Sequence, residues 1–421
     1  MNRVRLGDVA EIFLSNIDKK SVDGQGDVKL CNFTDVYYNW AITSEMYETF
    51  MEATATDSQI ENLSISKGMV AITKDSETRY DIGSSAYIAD DFDDVVLGYH
   101  CILIKPKKEL LSGKYLNAIF HSPYAQKYFE NNASGSGQRY TLSKEVIEDM
   151  RIPYCVLDEQ IKIGNIFSKI DRKMEVNKKI NDNLEHQLRV LYDYWFTQFD
   201  FPDENGKPYR ASGGKMVWNE ELKQDIPEGW DVESIFSNRL SSLIKPGVEV
   251  FDTKMYIATA DVKGSTLSLE TMVDYENRES RANMQPSVNS IWFAKMKNSV
   301  KHLYLNKEMF PIISNAILST GFNGLQCSEQ SFEYIASYIT SPYFESRKDI
   351  LAHGATQEAV NNDDLKKIYI LVPNDRTLYF YHQTTQPIYA QISKNICENK
   401  DLEQYREWIL PALINSQVVV T

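Results

Sequence analysis

Apolar side chains keep one period longest between Leu157 and Phe199. Ile163, Ile170, Asn177, Leu184 and Leu191 fall seven apart, with Ile166 and Ile180 three places after the first and third. This heptad pattern predicts one long helix with a partner helix along its seam. The stretch holds no proline and a single glycine, Gly164. Roughly forty residues at about 1.5 Å each make a rod of about 60 Å, longer than a small domain is wide. Asn177 interrupts the seam, as polar register devices do in paired helices. Phe167, Met174, Leu188 and Trp195 widen the apolar stripe beyond a two-helix contact and read as docking surface for a further partner.

Before this helix the text is mixed. Val4 to Ile12 is a short element, Ser66-Lys67-Gly68 is a turn, and Met69 to Thr73 is a buried-strand candidate. Val95 to Pro106 reads as another strand. A helical segment over Lys114 to Asn131 is broken at Ser122-Pro123, a loop covers Ala133 to Arg139, and a capped helix starts at Ser143. After the long helix, Phe201 to Gly229 is rich in Pro, Gly and charge and reads as a linker. A second mixed unit fills Trp230 to Pro373, and a second helical stretch runs from about Arg376 to Gln417.

The two halves repeat. Asp8-Val9 and Ile12-Phe13 recur as Asp231-Val232 and Ile235-Phe236, and Gly98-Tyr99 as Gly321-Phe322. Ser122-Pro123-Tyr124 returns as Ser341-Pro342-Tyr343, Gly135 and Gln138 as Gly354 and Gln357, and Pro153 as Pro373. Ile166, Ile170 and Asn177-Lys178 are answered by Ile388, Ile392 and Asn399-Lys400. These matches keep their order at offsets between 219 and 223, which points to a duplicated mixed unit plus helix.

A chain of 421 residues suits two to four units, and 43% hydrophobic with 25% charged residues is ordinary for a globular protein. No apolar run is long enough to span a bilayer and the N-terminus has no signal-like core, so a cytoplasmic location is expected. Five scattered cysteines without a CxxC fit reduced thiols. The net charge of −14 weighs against nucleic-acid binding, which rests on Lys and Arg meeting phosphates.

Catalytic signatures are missing from the sequence. There is no Asn/Asp-Pro-Pro-aromatic loop, no Gly-rich cofactor turn and no GxxxxGK[ST] phosphate loop. Pro202 to Lys207 holds carboxylates and a lysine, but contiguous in a turn rather than on separated strand positions. The six histidines, His100 among them, make no metal-ligand spacing and read as packing or surface residues. No catalytic, metal or cofactor residue is assigned.

Asn177 to Phe196, Ser212 to Trp230 and Tyr405 to Val420 each resemble a shared region of the specificity subunits of Type I restriction-modification systems. The resemblance covers nearly the whole chain, although the text after Trp230 departs more from the family. It implies α/β (α+β) target-recognition domains at 1–155 and 230–373, a long spacer helix at 156–199, a linker at 200–229 and a second spacer helix at 374–421. The two helices would pair antiparallel as a coiled coil, giving a pseudo-two-fold repeat, with Asn177 close to Asn399. Each domain would read one half of a bipartite site in double-stranded DNA. Two methyltransferase subunits carrying S-adenosylmethionine, and motor-nuclease subunits using ATP and Mg, would be the partners, leaving this chain non-catalytic.

Side chains for DNA contact are sought in loops with Lys, Arg, Gln and aromatics. In the first unit these are Lys74, Arg79, Tyr80, Gln138, Arg139 and Tyr140. In the second they are Arg278, Arg281, Lys295, Lys297, Lys301 and Gln357. The rival reading is a coiled-coil interaction scaffold without a DNA role, which the charge of −14 favours. A self-contained restriction enzyme is a second rival, disfavoured by the missing motifs.

Overall fold

The heptad stretch folds as one helix, Leu157–Tyr192, which ends in a π-turn over Asp193–Thr197. The second helical stretch is longer, Asp375–Ile414, and runs through Pro387. That proline has no N–H to give to the preceding turn. This computed structural model describes residues 2–135, 139–263, 266–267, 271–354 and 357–414. Two compact units result, one made of Met1–Glu175 with Asp401–Thr421, the other of Val176–Lys400. The division cuts through both long helices, so neither is a separate spacer domain. A helix that packs along its length belongs to whichever core it covers.

The first unit is built on a five-stranded sheet in the order Ala10–Leu14, Cys101–Pro106, Val70–Thr73, Ser85–Ile88, Ala41–Ile42. Val70–Thr73 is buried along its whole length, as a strand with apolar residues on both faces must be. A three-stranded sheet sets Gly26–Cys31 between Met51–Ala55 and Val95–Leu97. The run from Val95 to Pro106 is therefore two strands in two sheets, not one. The break is at Tyr99-His100, where His100 takes a positive φ of 73°.

Helices Gly113–Phe120 and Pro123–Asn132 cover the first of these sheets, separated where expected: Ser122 Oγ accepts from the Ala125 N–H at 3.2 Å and Pro123 stands in the first turn. Gly164 lets the long helix lie against this layer, since a Cβ there would stand 2.7 Å from the Tyr115 nitrogen. Ile163, Phe167 and Ile170 from one long helix and Ile409, Leu410 and Leu413 from the other complete the core. The carboxylate of Asp171 meets Arg406 at 3.2 Å.

The second unit sets Phe322–Cys327 and Ser290–Ala294 at the centre of a four-stranded sheet, flanked by Ser241–Leu243 and His302–Leu305. A second four-stranded sheet holds Lys254–Ile257 and Ala316–Ser319 in parallel. Ser341 caps Pro342–Leu351 as Ser122 caps its helix, accepting from the Phe344 N–H at 3.2 Å. Within this unit Asn177 Nδ2 donates to Glu398 Oε2 and Asn399 Oδ1, both at 2.8 Å. Asn395 Nδ2 donates to Asn181 Oδ1 at 2.7 Å. Rising numbers on one helix meet falling numbers on the other, so the segments run antiparallel here. Ile180, placed on the seam by its spacing, is exposed instead.

Two sequence expectations give way to packing. Residues 200–229 are no free linker: Phe201 and Ile226 are buried, Phe201 stacks on Trp230 at 4.9 Å between ring centroids, and Met216–Asn219 pairs with Gln224–Pro227. The Pro and Gly shape turns while the apolar minority is buried. The docking assignment also fails. Phe167, Leu188 and Trp195 are 2%, 4% and 5% exposed, and partly buried Met174 packs against the first unit's core. Burying such side chains within the chain contributes ~1.5–3 kcal/mol each and leaves nothing to offer a partner.

Candidate nucleic-acid interface

In the first unit most of the chosen side chains meet at one small sheet. Asp75–Ser76 pairs with Tyr140–Thr141, which pairs with Ser134–Gly135. This sets Ser76 opposite Tyr140 and Asp75 opposite Thr141, with Lys74 next in line against Leu142. Asp75 Oδ2 is the hub: His100 Nδ1 lies 2.6 Å away, an Arg139 guanidinium nitrogen 3.4 Å and Lys74 Nζ 3.9 Å. The same Arg139 nitrogen stands against the His100 ring, 2.5 Å from Nδ1 and 3.2 Å from Nε2. Burial opposes the Asp75 charge, but the His100 and Thr141 hydrogen bonds and the Lys74 and Arg139 charges outweigh it and hold the carboxyl below its usual range.

Aromatic faces lie among these charges. Lys74 Nζ stands 4.8 Å from the Tyr99 ring centre, and the Arg79 guanidinium 5.0 Å from that of Tyr140. Tyr80 is exposed beside Arg79. Gln138 lies outside the described residues. Asp75, Tyr99 and His100 join this cluster, although none of them is among the contact candidates that the sequence offers. Their signal was a polar pair interrupting the apolar run before Cys101, and a carboxylate next to a lysine at a strand end.

The second unit uses its candidates differently. Arg278 is committed to its own turn: it donates to the carbonyls of Tyr275 and Ala282 and lies 3.9 Å over the Tyr275 ring. Lys297 pairs with Glu358 at 2.8 Å, and Lys301 Nζ donates to the Thr259 carbonyl. Arg281 and Gln357 are exposed. Lys295 is half-buried, and among the described residues its ammonium has no hydrogen-bond or ion-pair partner. Burial pushes its pKa down.

Backbone hydrogen bonds put Lys74 and Lys295 in the same place. The Lys74 N–H donates to His100 O at 2.7 Å and its carbonyl accepts from the Leu142 N–H at 2.9 Å. The Lys295 N–H donates to Gly321 O and its carbonyl accepts from the Val360 N–H, both at 3.0 Å. Cys101 pairs with Thr73 as Phe322 pairs with Ala294. By this register His100, not Gly98, answers Gly321. The Gly-aromatic match read from the sequence is thus displaced by two residues.

The family model of the Type I restriction modification DNA specificity domain matches residues 1–186. That match spans less than half of the chain. The specificity subunit of the Type I restriction enzyme MjaIX of Methanocaldococcus jannaschii is 24% identical, covering 75% of this chain and 71% of that protein. The specificity subunit of the Type I restriction enzyme HindI of Haemophilus influenzae is 21% identical, covering 82% and 85%. The crystal structure of the Type-I restriction-modification system S subunit from M. genitalium aligns over 98% of this chain and 95% of its own, at 12% identity and a TM-score of 0.49. The family description and the curated names therefore agree with the resemblance read from the three sequence segments. Among the described residues, no helix is long and apolar enough to cross a membrane.

Proposed function

We propose that this chain is a non-catalytic specificity subunit that recognises double-stranded DNA, each unit reading one half of a bipartite site. The observation that carries the reading is the equivalence of Lys74 and Lys295. Both units present a lysine at the same backbone position, at the end of a central strand and beside a returning loop. A duplicated fold with a cation at one fixed place suits a target read twice. The long helices would set the number of base pairs between half-sites and, as a coiled coil, carry two methyltransferase subunits and through them the motor-nuclease subunits. S-adenosylmethionine, ATP and Mg would then be held by those partners. In that assembly the partners would also supply most of the phosphate neutralisation that a chain of charge −14 does not.

Co-expression with the cognate methyltransferase subunit in a methylation-free host, followed by single-molecule mapping of modified bases, tests this. The expected result is a two-part motif with a fixed gap; a continuous motif, or no modification, overturns it. The charge also favours a scaffold without a DNA role. That reading requires co-purification with partners but no footprint on DNA.

A further inference from the structure

The second unit has an open cleft of about 370 Å³ lined by Lys295, Asn323, Val360, Asn361, Asn362 and Asp363. Most of its polar atoms are already engaged. Asn361 Oδ1 accepts from the Asp363 and Asp364 N–H groups at 2.7 and 3.1 Å. The Asp363 carboxylate is paired with Lys366 at 2.7 Å. Two donors remain. Lys295 Nζ has no partner among the described residues, and Asn323, only 6% exposed, leaves its buried Nδ2 without an acceptor.

The first unit shows that the fold does not require this. In the shared register Ile102 stands where Asn323 stands, one residue after the Cys101 and Phe322 pairings. Asp75 occupies the position of Met296, so Lys74 has a carboxylate neighbour and Lys295 does not. An unmet amide donor in a strand that accepts isoleucine is a stability cost with no folding return, which points to a ligand bearing acceptors. Base edges lie at the floor of a groove and are reached by protruding side chains, whereas phosphates project from the duplex and fit a recess.

We infer that this cleft seats a phosphate group of the DNA backbone, with Lys295 Nζ and Asn323 Nδ2 as its donors. The inference rests on the DNA-recognition reading and deepens it. It assigns the second unit a fixed anchor, while in the first unit Lys74 is tied to Asp75 and Arg139 is the exposed cation.

The test is fluorescence anisotropy of a labelled duplex carrying the mapped site against the full chain, alone and with its methyltransferase subunit, across a salt series starting at about 50 mM. The variants are Lys295→Gln and Asn323→Ile, the latter copying Ile102. Lys295→Gln should weaken binding about tenfold and reduce the slope of log affinity against log salt by about one. Asn323→Ile should weaken binding several-fold with the slope unchanged, and should melt no lower than the parent, which separates lost binding from lost folding. If the parent binds and both variants bind equally well with an unchanged slope, the anchor is refuted while the DNA reading stands. If the variants lose affinity for inorganic phosphate but not for the duplex, the cleft serves a free anion and the inference fails. If the parent binds no duplex in either form, the DNA reading itself fails and takes the anchor with it.

Discussion

Replacing Phe167 by Ala decides whether the long helix faces a partner or its own core. The ring is 2% exposed, within the cluster that holds Tyr115, Leu116, Ile152 and Leu410. Truncating a buried Phe costs ~3–5 kcal/mol, the lost transfer energy plus that of the cavity left behind. A folding unit of ~150–250 residues shifts its Tm by ~2–4 °C per kcal/mol. The first unit should therefore melt roughly 6–20 °C lower, read by differential scanning calorimetry of the full chain. Trp408→Ala is the control: at 68% exposed it should move the same transition by no more than ~2 °C. A Phe167→Ala chain that melts within about 2 °C of the parent, yet loses its methyltransferase subunit, would refute the core placement and restore the docking role.

Further substitutions probe other packed points. Gly164→Ala sets a Cβ 2.7 Å from the Tyr115 nitrogen and 2.8 Å from Lys114 Cβ; the forced separation should cost ~1–3 kcal/mol in urea unfolding, and a neutral result would mean the layers slide apart freely. Lys348→Met removes a fully buried ammonium that meets Glu345 at 2.6 Å and donates to Ser299 O at 2.9 Å. Stranding Glu345 with only His302 at 2.8 Å should cost ~3–5 kcal/mol, and a stable variant would show that Glu345 takes up a proton or reaches water. Burial, then the charge of Arg406, pushes the His121 pKa from 6.5 down to about 3 against a hydrogen bond with the Ser85 backbone. Below pH 6.5 the unfolded chain binds a proton that the native chain refuses, so stability falls with pH over the window from 6.5 to about 3. The residue as a whole is only partly buried, so a loss of roughly 1–2 kcal/mol at about pH 5 is expected. His121→Asn should flatten that part of the profile; an unchanged pH dependence in the variant would remove His121 as its source.

The helices were legible because their period is long and local: Asn177 to Asn399 followed from matching repeat positions, and Ser122-Pro123 and Ser341-Pro342 named their own helix starts. What failed was the assignment of apolar residues to partners. A period shows which side of a helix is apolar but not what covers it, and Phe167, Leu188 and Trp195 are covered by their own units. Phe201 and Ile226 were lost inside linker-like text for the same reason, since two aromatic or aliphatic anchors outweigh a turn-rich composition. The basic candidates were found by residue type, so Lys74 and Arg139 were recovered but their hub, Asp75, was not. Pairing of distant strand ends brought it there, and no spacing rule reaches across Asp75, His100 and Arg139.

The polar seam of the long helices bears on how a spacer is fixed. An apolar stripe alone tolerates sliding by a heptad, because one Ile or Leu packs much like the next. In the second unit the buried Asn177 meets Glu398 and Asn399, and Asn181 meets Asn395. Shifting one helix by seven residues from Asn395 brings Leu402 opposite Asn181, and from Asn399 it brings Arg406 opposite Asn177. Asn181 would then face an apolar side chain, and Asn177 a guanidinium that offers no acceptor for its N–H groups, at ~1–3 kcal/mol for each buried group left unpaired. The observed alignment gives the Nδ2 groups of Asn177, Asn181 and Asn395 their acceptors, while Asn177 Oδ1 stays unpartnered. The amides therefore give up some burial energy to favour this register over one displaced by a heptad.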